Sequence, residues 1–74
     1  MEGFIETTER KIIDLSNFKS NGKQYVRQTS DVVYVKKVSD RWEDLYIRTQ
    51  FYLGISGKWI DSWHKIGTRM YNRS

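Results

Sequence analysis

His64 is the only histidine of this 74-residue chain, and there is no cysteine. Acid–base chemistry near neutral pH would therefore have to pass through one imidazole or a tuned carboxylate. The run Asp61-Ser62-Trp63-His64 contains the residue types of a hydrolytic triad, but its spacing argues against one. On a helix Asp61 and His64 are neighbours while Ser62 points away, and no strained turn presents the hydroxyl. A small nuclease with Glu43 as base, His64 as acid and Arg48 on the phosphate would need three distant residues to converge. Asp40, Glu43 and Asp44 lie within one turn but lack the ligand spacing and glycine of a calcium loop. Gly54 and Gly57 lack the Lys-Ser/Thr that follows a phosphate cradle. The expectation is a protein that binds rather than catalyses, with no catalytic residue, metal site or cofactor.

The pattern with most chemical content is basic residues interleaved with aromatic ones. Tyr25 stands near Arg27, Tyr34 near Lys36 and Lys37, Arg41 beside Trp42, and Tyr46 and Tyr52 on either side of Arg48. On neighbouring strands such residues would merge into one patch. Tyr25, Tyr34, Tyr46 and Tyr52 could then stack bases, while Arg27, Lys36, Lys37 and Arg48 neutralise phosphates. Tyrosine also suits a half-exposed sheet for β-propensity alone, and lysine on an edge strand blunts aggregation. An acidic protein surface is the alternative partner, because Tyr, Trp and Arg are also the anchors of protein interfaces. In that case the chain would be a small inhibitor or adaptor that occludes another protein, with the exposed Arg41-Trp42 pair as an anchor.

These residues must be positioned by strands. In 44–53, alternation puts Leu45, Ile47, Phe51 and Leu53 on one face, with Thr49 the soft spot; Tyr46, Arg48, Gln50 and Tyr52 fall on the other. Residues 32–38 are rich in β-branched side chains, with Val33, Val35 and Lys37 facing one way and Tyr34 and Lys36 the other. A short polar turn, 39–43, should join these two strands as an antiparallel pair. Asn21-Gly22 marks a hairpin, which favours strands over 11–18 and 24–28, although a helix over 11–18 stopped by Gly22 fits as well. Thr29-Ser30-Asp31 reads as a turn. Residues 3–8 read as an edge strand or a loosely held arm. Trp59, Trp63, Ile66 and Met70 recur at helical spacing, so a C-terminal helix over 58–71 is preferred. The strand alternative makes 54–57 a turn and mixes Asp61 and Lys65 among the tryptophans.

Size and composition fit this reading. The chain suffices for one domain, and three Trp, five Tyr and three Phe provide large side chains for a small core. Alanine and proline are absent, while Lys, Ile, Tyr and Ser abound; this favours sheet and is also the bias of an AT-rich genome such as a phage's. No apolar run approaches the ~20 residues of a membrane span, and Met1-Glu2-Gly3-Phe4 lacks the features of a signal peptide, so a cytoplasmic location is expected. The net charge is +4, divided as −2 over residues 1–18 and +6 over 19–74, a distribution suited to a polyanion or acidic partner. The expected fold is mainly β: an antiparallel sheet or partly open barrel of four to five strands. The expected function is nucleic-acid binding.

Overall fold

The computed structural model describes residues 3–71, and every regular element within them is a strand. β1 (Phe4–Arg10), β4 (Val26–Lys37), β5 (Trp42–Leu53) and β6 (Lys58–Met70) form one antiparallel sheet in the order β1-β4-β5-β6. β2 (Lys19–Ser20) and β3 (Lys23–Gln24) form a separate small hairpin. The sheet is not closed into a barrel. No helix in the described residues is long and apolar enough to cross a membrane.

Local chemistry explains the turns. Asn21 and Gly22 have φ of 53° and 77°, the positive pair that a two-residue type I′ hairpin needs and that Asn-Gly adopts most readily. At the β5–β6 turn, Gly57 sits at φ 68° and its N–H donates to the Leu53 carbonyl at 2.8 Å. Between β4 and β5 the Val38 N–H donates to the Trp42 carbonyl at 2.9 Å, so Trp42 opens a strand rather than standing in the turn.

Pairing defines two faces. Val33 lies opposite Ile47, Val35 opposite Leu45, and Ile47 opposite His64. Val33, Val35 and Ile47 on this core face are 3, 7 and 0% exposed. The segment 11–18 crosses it without strand pairing. Backbone and side chains both hold it: Lys11 N–H donates to the Asp31 carbonyl at 2.7 Å and Ile13 N–H to Gln28 Oε1 at 3.0 Å, while Gln28 Nε2 donates to the carbonyls of Lys11 and Ser30. Gln24 Nε2 donates to the Leu15 carbonyl. The strap ends with Phe18 edge-on to His64, ring centroids 5.6 Å apart.

Several sequence expectations change here. Residues 58–71 hold a 13-residue strand, not a helix. The helical spacing of the apolar residues is overridden by twelve cross-strand partners on β5, with a bulge at Ile66. Residues 11–18 are neither strand nor helix. Thr29-Ser30-Asp31 does not turn the chain; β4 runs through it, and the polar spot survives as a register shift between Gln28 and Val33. The N-terminal stretch is the edge strand β1, with the Thr7 hydroxyl donating to the Val33 carbonyl at 2.6 Å.

Side chains of the two edge strands meet on both faces although β4 and β5 lie between them. Phe4 of β1 stacks on Trp63 of β6, centroids 4.1 Å apart and planes 4° from parallel. Beside the core face, Arg69 of β6 holds Glu9 of β1 through two hydrogen bonds, of 2.6 and 3.0 Å, and the buried Glu43 of β5 through a third, of 2.8 Å. A strongly curled sheet results. Buried Glu43 is tolerable because it is paired and hydrogen-bonded.

Candidate nucleic-acid interface

The face opposite the core is built from the alternate residues of the same strands. Tyr34 is opposite Tyr46, which is opposite Lys65; Arg27 is opposite Gln50, which is opposite Asp61; Arg48 is opposite Trp63 and Tyr52 opposite Trp59. At its centre Phe4, Tyr34, Tyr46 and Trp63 form an aromatic cluster. Phe4 and Tyr46 meet edge-on at 4.9 Å, and Tyr34 and Trp63 at 5.0 Å. Such offset and T-shaped pairs satisfy the ring quadrupoles and leave the cluster half-buried.

Cations border the rings. The Arg27 guanidinium lies 4.1 Å from the Trp59 ring centre, Lys36 Nζ 5.4 Å from that of Phe4, and Arg48 5.7 Å from that of Trp63. Each exposed contact of this kind contributes about 0.5–1 kcal/mol and holds the charge above the ring. Arg27 also donates through Nε and Nη2 to Gln50 Oε1, and Gln50 Nε2 donates to Asp61 Oδ1 at 2.9 Å. Among the described residues the ion pairs are Arg10–Asp31, Lys65–Asp44, Arg69–Glu9 and Arg69–Glu43. None involves Arg27, Lys36 or Arg48. Asp44 is held below the usual carboxylate range by the Thr68 hydroxyl and, more weakly, by Lys65.

The face continues toward the hairpin. Tyr25 and Tyr52, 37 and 43% exposed, line an open depression with Lys19, Lys23 and Gly54. The Tyr52 N–H donates to the Tyr25 carbonyl at 2.8 Å, tying hairpin to sheet. Lysines, tyrosines, Arg27 with Trp59, Arg48 with Trp63, and Lys36 with Phe4 follow one another along a molecule 48 Å in its longest extent.

Of the ten residues singled out from sequence, Tyr25, Arg27, Tyr34, Lys36, Tyr46, Arg48 and Tyr52 lie along this track. Trp42 is on the same face but at its far end, paired with Met70 and 45% exposed. Arg41 lies in the β4–β5 turn, where its carbonyl accepts from the Tyr71 N–H. Lys37 departs from the patch: it pairs with Glu43 on the core side, its ammonium 5.5 Å from the Tyr71 ring centre. Sequence reasoning missed Phe4, Trp59, Asp61, Trp63 and Lys65. The alternation Trp59-x-Asp61-x-Trp63-x-Lys65 carries the same aromatic–charged signature as Tyr46-x-Arg48, and helical periodicity concealed it.

His64 and Glu43 belong to the core side and Arg48 to the opposite face, so the residues of the nuclease arrangement are not brought together. His64 is half-buried against Phe18. Glu43 and Asp44 likewise point to opposite faces, toward Arg69 and Thr68. Comparison of the chain with models of protein families, with curated proteins and with solved structures finds no match.

Proposed function

We propose that this protein is a non-enzymatic module that binds single-stranded nucleic acid along its aromatic face. The observation that carries the reading is the set of three cations over rings, Arg27, Lys36 and Arg48, that have no carboxylate partner among the described residues. Phosphates would take the place of the missing counter-charges, and bases would stack on the exposed rings of Tyr52 and Tyr25 at about 1–3 kcal/mol each. Stacking tolerates any base, so the binding expected from these rings is broad.

The test is affinity for a fluorescent oligonucleotide as a function of salt. Three phosphate contacts on a single strand give a log–log slope of about −2, and roughly a 20-fold loss between 50 and 200 mM salt. Arg27→Ala and Lys36→Ala should each flatten that slope by about 0.7 and weaken binding of all sequences alike. Absence of any retention at low salt would refute the proposal.

A protein partner is the second reading. It is favoured by the far end of the core face, where Phe51, Leu53, Ile55 and Ile60 are 37, 40, 98 and 37% exposed. A pull-down that is indifferent to nuclease treatment, together with failure of the oligonucleotide assay, would favour it.

A further inference from the structure

On the aromatic face, Phe4, Tyr34, Arg48, Asp61, Ser62 and Trp63 line a cavity of about 330 Å³. That is the small end of the range of ligand pockets, about 300–1,000 Å³, and suits one flat ring system. Arg48 and Asp61 both border it yet do not pair with each other; no ion pair of the described residues includes either. Asp61 is held from behind, its Oδ1 accepting from Gln50, which is itself gripped by Arg27. Its Oδ2 takes no hydrogen bond among the described residues.

A carboxylate in a face that binds a polyanion is counterproductive unless the ligand brings donors to it. Resting on the nucleic-acid reading above, we infer that this cavity selects a guanine base. Guanine's N1–H and N2 amino group donate to the Asp61 carboxylate, and its O6 and N7 accept from the Arg48 fork. Adenine and cytosine each offer the carboxylate only one amino group. Thymine and uracil offer one N–H between two carbonyls, which the carboxylate repels. Guanine alone satisfies both charges with paired hydrogen bonds while presenting an aromatic body to Trp63.

The experiment compares fluorescence anisotropy of a short oligo-dT with the same oligomer carrying one central dG, dA, dC or deoxyinosine. A matching oligo-rU series with one rG distinguishes DNA from RNA as the source of the base. One guanine should tighten binding about 10-fold in at least one series, and inosine, which lacks the N2 amino group, should keep only part of the gain. Asp61→Ala and Asp61→Asn should bind the dG and dT oligomers alike, with melting curves showing both variants folded. Binding of oligo-dT and oligo-rU without guanine preference, or a preference that survives both Asp61 variants, overturns this inference and leaves the broader reading standing. No binding of any oligomer overturns both.

Discussion

Ile47 shows how far one residue's role can be inferred from alternation. It was expected inside, and it is fully buried between Val33 and His64. Its neighbours in the same alternating set divide differently: Phe51 and Leu53 are 37 and 40% exposed, while Thr49, the apparent soft spot, is 3% exposed. Alternation tells which residues share a face; how much of that face is covered depends on the strap, which leaves the end near the β5–β6 turn open. Ile47→Val should therefore cost about 1 kcal/mol and lower Tm by roughly 4–8 °C for a domain of this size. Ile55→Thr, at a side chain 98% exposed in the β5–β6 turn, should stay within about 0.5 kcal/mol, as for a surface site. Denaturant unfolding with unchanged m-values is the check, and equal losses for the two variants would mean that the core extends to the β5–β6 turn.

At the scale of elements, the parts legible in the sequence were those whose local chemistry leaves little choice. Asn21-Gly22 fixed a hairpin, and the β4–β5 pair followed from two β-branched, alternating runs joined by polar residues. β6 was misread because Trp59, Trp63, Ile66 and Met70 satisfy a helical period, while Asp61 and Lys65 looked wrong for a strand face. They are right for a face that meets solvent with rings and charges together, and the long ladder to β5 decides the conformation. The strap was illegible for a different reason. Its backbone is held in part by the side chains of Gln24 and Gln28, contacts that no local pattern announces. Gln28→Ala removes one acceptor and two donor contacts of the strap and of Ser30. It should destabilise the chain by about 1–3 kcal/mol and open the strap first. Amide exchange would show this as Ile13 losing protection while Ile47 keeps it; parallel loss at both would mean that the strap is no separate unit.

At the scale of the whole molecule, the curled sheet is held by two ties between its edge strands, and they respond differently to acid. The Phe4–Trp63 stack carries no titrating group. The Glu9–Arg69 tie does: the Arg69 hydrogen bond and, less strongly, its charge hold the Glu9 carboxyl below its usual 4.5, and the same contacts raise Arg69. A carboxylate whose pKa is depressed in the folded chain stabilises it fully above its ordinary pKa and loses that contribution as pH falls through the folded value. Asp14, lowered by the Ser16 amide, and Asp44, lowered by the Thr68 hydroxyl, act in the same direction. Stability should therefore be flat above about pH 5 and fall below about 4.5. The loss should start where the Glu9–Arg69 tie between the edge strands, the only ionic one among the described residues, is broken. Amide exchange at pH 3.5 against pH 6, corrected for intrinsic rates, should show β1 losing protection ahead of β4 and β5 (both pH values set roughly by the window in which carboxylates titrate). In Glu9→Gln, which leaves the Arg69–Glu43 bond in place, the tie holds no titrating carboxylate, so β1 should be equally weak at both pH values. Acid-dependent fraying that persists unchanged in this variant would place the sensitive carboxylate elsewhere in the sheet.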